Sequence, residues 1–360
     1  PRLRSTILVR TVCWVEDGLT KFPAGRRKPH AGGMRSPSQL QSSVQNLPSV
    51  SAESPASNPA EGRLVLWLLA LGVPLLLLLA WWPSGKPKTR PALPIPNGYD
   101  VFLKASAQVS ASWTNRTSTS LRSLPITDLR DLVLTNMALL DLVREGLGQG
   151  CHTHVDYDAG FIGRMNASLG SLKRLGVTLT AEGLLAELEG KPALALRSYL
   201  DSLRFGQESS RGGLIIERLV GIANEQIGLD HLRPLILVLN AEECRACLTE
   251  LLILDGRHDP SAVNVASEDE WIRQTADLGQ RFTLWTQPTM RKEMRETRTK
   301  FAGRLDRHQA DRRRTIVEAA ARLFELEKGR RPKSYADLVP AYLPAAPLDP
   351  TTGKEIAHPF

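Results

Sequence analysis

Two short groups of cysteine and histidine residues are the strongest candidates for chemistry in this sequence. Cys151, His152 and His154 lie close together, and Cys244 and Cys247 form a C-x-x-C pair. Thiolate and imidazole groups are the ligands that zinc prefers in proteins, and two short groups of ligands often hold one ion. The sequence therefore offers these five residues as a candidate zinc site, with a zinc-dependent hydrolase or a thiol redox protein as the matching function.

A packing role for the same cysteines is the alternative, and we favour it. Each group is too small to complete a tetrahedral site, and the two groups are far apart in the chain. Cys244 and Cys247 stand three positions apart in a segment of helical periodicity, without the βαβ pattern of a thioredoxin-like motif. We therefore predict no cofactor, and the sequence favours a protein that is not an enzyme.

The aspartates after the first group resemble the start of a calcium-binding loop. Asp156 and Asp158 have the right spacing, but Phe161 replaces the sixth-position glycine and Ala167 the twelfth-position glutamate. The sequence also contains no nucleophile elbow, phosphate-binding loop or zinc-protease motif. We predict a polar turn here.

A basic stretch lies between Arg291 and Arg314, with ten Lys or Arg residues against four Asp or Glu residues. On one helix these charges could attract anionic lipid, nucleic acid or an acidic partner. The acidic residues interrupt the stretch, which favours an ordinary solvated face. Residues 1–33 carry seven basic against two acidic residues and so hold most of the formal charge of +8. We do not predict a nucleic-acid partner.

The elements that carry these residues are predicted to be helices. Apolar residues recur at spacings of three and four, and no strand-length run alternates with period two, so the predicted fold class is all-α. Pro234 is expected to kink or divide the fourth helix. The predicted helices cover residues 128–147, with Asp128 as the N-cap, and residues 166–189, 192–205, 214–239, 242–254, 268–285 and 289–328.

The second and third predicted helices form a tight pair. Only Gly190 and Lys191 separate them, and Pro192 suits a first helical position, so the two must fold back as a hairpin. The pattern of the hairpin's second helix resembles a tetratricopeptide (TPR) unit, although no 34-residue repeat follows. The predicted architecture is an irregular array of helical hairpins that is TPR-like in part.

An uncharged run from Leu64 to Trp82 suggests where this domain lies. As a helix, its nineteen residues would reach about 28 Å, close to the thickness of a bilayer's hydrocarbon core. We predict a transmembrane helix over residues 63–82, after a disordered tail over 1–62; a buried core helix or a cleaved signal sequence is the alternative. A proline-rich stalk over 83–96, a helical domain over 97–328 and a Pro/Gly-rich motif over 329–360 are predicted to follow.

Two stretches carry a family resemblance. The block from Arg144 to Ile222 contains CHTHVDYDAG and EGKPALALRSYLDSLRFGQ, and it resembles the periplasm-facing helical domain of single-pass membrane proteins of planctomycete type. The block from Arg312 to Ile356 is similar to the ending of those proteins and to the C-terminal part of pseudopilin-like chains. Its matching residues are Gly329, Pro332, Leu338, Pro340, Tyr342, Leu343, Pro344, Pro347, Asp349, Pro350 and Gly353.

The resemblance implies a location and a role. It implies one anchor in the bacterial inner membrane and a periplasmic C-terminal domain. Our hypothesis for the function is that this domain binds other envelope proteins or peptides. It also implies a packing or disulfide role for Cys151. The chain departs from pseudopilins because no Gly-Phe-x-x-x-Glu processing site precedes the apolar run. In the C-terminal motif, Leu338 and Leu343 are expected to pack on the preceding helix.

Overall fold

A computed structural model describes residues 92–109, 121–158 and 160–357, and its regular structure there is helical. This part of the chain contains isolated bridges, Asn97 with Gly150 and Leu348 with Glu355, but no strand. The predicted all-α class is confirmed for these residues. The helices are α1 (Gly98–Ser106), α2 (Ile126–Leu147), α3 (Phe161–Leu188), α4 (Pro192–Glu208), α5 (Ile215–Ile236), α6 (Ala241–Gly256), α7 (Ser261–Thr275), α8 (Leu278–Thr286), α9 (Pro288–Lys328) and α10 (Tyr335–Leu338).

The predicted anchor lies outside the described residues, as do the predicted tail and the first part of the stalk. Of the helices in the ranges given above, none has the length and the low charge that a bilayer-spanning helix needs. The end of the stalk is described. Ile95 is almost fully exposed, and the chain then enters α1, which the Asn97 side chain caps by accepting a hydrogen bond from the Tyr99 amide.

The hairpin of α3 and α4 forms as its sequence predicts. Gly190 takes a positive φ of 71° between the helices, and Pro192 is the first residue of α4. The Lys191 amide donates to the carbonyl of Ala186 at 2.8 Å, which closes the end of α3. A residue with a side chain at Gly190 would be strained in this left-handed conformation.

The central helix is α5, which packs against α3, α4 and α9. Its Ile227 belongs to one core, formed mainly by α1, α2 and α3, whereas Leu229 and Leu232 belong to a second core with α4, α6 and α9. Leu338 and Leu343 of the C-terminal segment are also buried in that second core. An apolar surface on several sides thus lets α5 join the cores.

Two glycines bring α4 and α5 very close together. A Cβ atom on Gly206 would lie 2.6 Å from the carbonyl oxygen of Gly221, and a Cβ on Gly221 would collide with the carbonyl of Gly206. Because the obstructing atoms belong to the backbone, no rotamer change could make room. Glycine at both positions is therefore required for this helix crossing.

α3 begins five residues and α7 seven residues before the predicted starts at 166 and 268, and three further differences have a local cause. The segment predicted as one helix over 268–285 is divided, because Asp277 starts α8 with a capping box in which its carboxylate accepts from the Gln280 amide at 2.8 Å. Pro234 lies in the last turn of α5 and does not divide it. Asp128 is in the first turn of α2, not at its N-cap, which is Pro125.

Candidate functional site

The structure places the two predicted ligand groups in different cores. Cys151 follows α2 and lies in the core of α1, α2 and α3, whereas Cys244 and Cys247 lie on α6 in the second core. Burial raises the pKa of the Cys151 thiol to about 12 and that of Cys244 to about 11, and it also raises the pKa of Cys247. Metals and electrophiles react with the thiolate, so these protonated thiols suit packing better.

The two histidines of the first group have partners of their own. His152 Nδ1 lies 2.9 Å from the carbonyl oxygen of Thr153, and His154 Nε2 lies 2.5 Å from Asp100 Oδ1. Within the described ranges, no group of three or more Cys, His, Asp or Glu side chains is placed to share an ion. The structure thus does not bring the five predicted zinc ligands together.

The predicted polar turn is held by an arginine. Arg164 Nη2 donates to Asp158 Oδ2 at 2.6 Å and to Asp156 Oδ2 at 3.1 Å. The Trp271 indole donates to the Asp156 carbonyl at 3.1 Å and so ties the turn to α7. The carboxylate oxygens of both aspartates and the Asp156 carbonyl oxygen thus accept hydrogen bonds that hold the turn in place.

An exposed apolar face lies on α2 and on the α3–α4 hairpin. We define this apolar face as Ile126, Leu134, Met137, Leu188 and Leu194, whose side chains are 40–56% exposed. Leu134 and Met137 are one turn apart on α2, and Ile126 lies two turns before Leu134, so the three share one side of the helix.

An ion pair connects the two halves of this face. Arg130, one turn from both Ile126 and Leu134, donates from Nη2 to Glu189 Oε1 at 2.9 Å. Glu189 directly follows Leu188, and Lys191 donates to it at 2.8 Å. The start of α2 and the α3–α4 turn therefore meet around charged groups, with large apolar side chains on both elements.

A cluster of charged side chains is buried between α5, α6 and α9. Glu225 lies at its centre: Oε1 accepts from Arg218 Nη1 at 2.6 Å, and Oε2 lies 3.1 Å from Arg312 Nη1. Arg312 Nε is 3.3 Å from Asp255 Oδ1, and Arg218 Nη1 also donates to Ser210 Oγ at 3.0 Å. We define this buried ion cluster as Arg218, Glu225, Asp255, His258, His308 and Arg312.

Charge pairing dominates the electrostatics of the cluster. Burial by itself would raise the pKa of Glu225, but Arg218, His308 and Arg312 hold that pKa well below its ordinary value, so the carboxylate is ionised. His258 responds in the opposite way, because burial and the charges of Arg312 and Arg218 lower its pKa to about 4. His258 is therefore neutral near pH 7.

Several polar atoms of the buried ion cluster have no hydrogen-bond partner among the described residues. They are Nε and Nη2 of both Arg218 and Arg312, Nε2 of His258 and Oδ1 of Asp255, although Arg312 Nε and Asp255 Oδ1 lie 3.3 Å apart as an ion pair. Arg218 and Arg312 are at most 3% exposed. A buried polar group without a partner costs about 1–3 kcal/mol, and more when it is charged, so leaving these atoms unpaired destabilises the fold.

Sequence reasoning missed this cluster. The basic stretch over 291–314 was predicted to be a solvated face, but Arg312 is fully buried and His308 is 3% exposed, because both turn toward Glu225. The available signal was in α5, where Arg218 and Glu225 stand two turns apart in a helix with apolar residues on nearly all sides. Charges at such positions are expected to be paired inside the protein.

A second set of buried polar side chains lies at the start of α5. Glu217 Oε2 accepts from the Leu214 amide at 2.8 Å, and Glu268 Oε2 accepts from the Ile215 amide at 3.1 Å. Tyr99 Oη donates to Glu217 Oε1 at 3.4 Å. Burial raises the pKa of Glu217 to about 7, although the hydrogen bonds from Leu214 and Tyr99 favour the ionised carboxylate.

Comparisons of the chain with protein-family models, with curated proteins and with solved structures find no match.

Proposed function

We propose that this chain is a membrane-tethered helical domain that mediates protein or peptide interactions in the bacterial cell envelope. The uncharged run over 64–82 and the resemblance to single-pass proteins support the tether. They also support the inner membrane as the location, with the domain in the periplasm. The apolar face is the observation that supports the interaction.

Exposed apolar side chains are common when they occur singly, but a cluster of them is typical of an interaction site. The apolar face combines such side chains with the charged groups of Arg130, Glu189 and Lys191, which lie between its two halves. Protein–protein interfaces combine apolar anchors with charged and hydrogen-bonding groups in this way. We therefore infer a partner segment that presents apolar side chains, such as one face of an amphipathic helix.

The hairpin of α3 and α4 is also the part that is TPR-like in sequence. We propose that it acts as a unit of the irregular helical array and presents Leu188 and Leu194 to the partner. The tight connection at Gly190 supports this, because it fixes the distance between the two side chains.

Site-specific crosslinking in native membranes tests the proposal. A photoreactive amino acid at Met137 should crosslink a discrete partner in the membrane fraction, in material that resists a carbonate wash. Leu134→Glu should reduce the crosslinked product at least about tenfold, because it places a charge in an apolar contact.

The matched control is Leu237→Glu. Leu237 is 67% exposed in the turn between α5 and α6 and does not belong to the apolar face. This variant should crosslink as the wild type does. Equal loss in both variants, or release of the chain by carbonate, would refute the proposal.

A further inference from the structure

The helix α7 is attached to the turn before α5, residues 212–215, by polar side chains. Asn264 Nδ2 donates to one carbonyl group of this turn at 2.8 Å, and Ser267 Oγ donates to another at 3.0 Å. Glu268 Oε2 accepts from an amide of the same turn at 3.1 Å. Three side chains of α7 thus bind the backbone of one short segment.

Apolar packing adds little to this attachment. Asn264 and Trp271 are the only buried residues among the fifteen that the structure describes in α7. The Trp271 ring lies 6.4 Å from that of Phe161, and Val265 is half-buried against the start of α5. No residue of α7 belongs to either of the two cores described above. A helix with so few buried apolar contacts can open locally while the rest of the domain stays folded.

Two carboxyl groups meet at this attachment. Glu217 of α5 accepts from the Leu214 amide at 2.8 Å, and Glu268 of α7 accepts from the next amide, that of Ile215. Because the two amides are adjacent, the carboxyl groups lie close together; we call them the carboxyl pair. Burial and then the charge of Glu268 raise the pKa of Glu217 to about 7, and burial also raises the pKa of Glu268. A second negative charge in the pair would therefore act between α5 and α7.

The charged and titratable groups around the carboxyl pair do not balance a second negative charge. From α1, Tyr99 donates its O–H to the pair at 3.4 Å, and Asp100 follows it as a further carboxyl group. His152, in the segment after α2, lies against the turn. From α9, Arg298 faces α7, but its guanidinium is paired with Asp269. Arg298 is the one permanent cation among these groups, and its charge is already matched.

We propose that α7 is a pH-dependent latch on the start of α5, closed while the carboxyl pair carries a proton and open when both of its members ionise. Two like charges then face each other in a site with little water, and one of them leaves with α7. The pKa of Glu217 is raised in the closed state, so the stabilisation of that state is present at low pH and is lost as the pH rises through about 7.

Hydrogen exchange of the full chain tests the proposal. Mass spectrometry of peptic fragments gives the protection factor of each helix, after correction for the intrinsic pH dependence of amide exchange. Between pH 5 and pH 8 the protection factor of α7 should fall at least about tenfold. The fragments of α4, which lies in the domain's interior, should stay more strongly protected than α7 at every pH.

Two variants assign the effect to the carboxyl pair. Glu217→Gln imitates the protonated form, and it should make the protection factor of α7 nearly independent of pH over this range. Glu270→Gln is the control, because Glu270 also lies on α7 but pairs with Arg273 of the same helix. Its pH dependence should equal that of the wild type.

The wild-type measurement decides the proposal even if a variant fails to fold. A protection factor of α7 that stays constant from pH 5 to pH 8 would overturn it. Protection that falls in α7 and α4 together, to the same value, would also overturn it, because pH would then act on the whole domain. So would an undiminished pH dependence in a folded Glu217→Gln protein.

Discussion

Glu225 has no exposure to solvent, yet it is ionised and serves three side chains. Its oxygens bind Arg218, His308 and Arg312. A buried ion pair seldom stabilises a fold more than apolar side chains would, because removing the charges from water costs several kcal/mol. Removing one partner would, however, leave the others buried and unpaired, which costs about 3–5 kcal/mol.

A pH-dependent prediction concerns Glu217. Its pKa of about 7 exceeds the ordinary glutamate value of 4.5, so the folded chain binds more protons than the unfolded chain between these two pH values. Stability therefore falls as the pH rises through this window. Because Glu217→Gln imitates the protonated form, we expect its stability relative to the wild type to increase by about 3 kcal/mol from pH 4 to pH 8. Denaturant titrations at several pH values measure the difference.

Asp337→Asn provides a control of opposite sign. Arg330 and the Lys333 amide lower the pKa of Asp337 to about 2. The ionised Asp337 carboxylate therefore stabilises the fold above about pH 4, and this stabilisation is lost as the pH falls from about 4 to 2. A constant difference between Glu217→Gln and the wild type from pH 4 to pH 8 would contradict the assignment.

Single residues also show why the buried ion cluster was not predictable from the sequence. Glu225 and His308 are 83 positions apart, and no local pattern links a glutamate in α5 to a histidine in α9. The spacing of His308 and Arg312 gives them one face of a helix, but it does not say whether that face meets water or another helix. The pairing depends on tertiary packing.

At the scale of elements, apolar periodicity predicted most helices to within a few residues. The start of α4 at Pro192 and the end of α9 at Lys328 agree with the predictions because Pro192 and Gly329 impose local backbone conformations. The break before α8 was missed, because the capping box of Asp277 and Gln280 outweighs the periodic pattern around it. The apolar face was not predicted either, since exposure depends on what neighbouring helices cover.

The end of α9 allows a test with an internal control. Gly329 has a φ of 66°, so Gly329→Ala should destabilise the protein by about 1 kcal/mol. Gly303 lies inside the same helix with no atom within 4 Å of a Cβ added there, and Gly303→Ala should stabilise by about 0.5–1 kcal/mol. Thermal unfolding of both variants gives the comparison. Effects of the same sign would contradict it.

At the scale of the whole molecule, the C-terminal segment completes the second core. Leu338 and Leu343 are fully buried there, and Tyr335 Oη donates to the Ile356 carbonyl at 2.6 Å. Arg313 joins this segment to α6, because it donates to Asp255 Oδ2 at 2.9 Å and to the Leu348 carbonyl at 2.6 Å. The segment is thus part of the domain's hydrophobic structure.

Removal of the segment should therefore weaken the entire domain. A chain that ends at Lys328 loses two buried leucines, which corresponds to about 3–6 kcal/mol of apolar burial, and its melting temperature should fall. In the intact chain, Leu343→Ala should cost more than Leu348→Ala, since Leu348 is 49% exposed. An unchanged melting curve for the shortened chain would show that the segment does not support the core.

The crossing of α4 and α5 has a consequence for any motion inside the domain. Gly221 lies one turn after Arg218 and one turn before Glu225, so the point where the two backbones meet is also the point about which these charges are arranged. Helices that touch through backbone atoms cannot translate along each other without collision, but they can swivel. Any rotation of α5 against α4 would therefore turn about Gly206 and Gly221, and it would carry Arg218 and Glu225 in opposite directions.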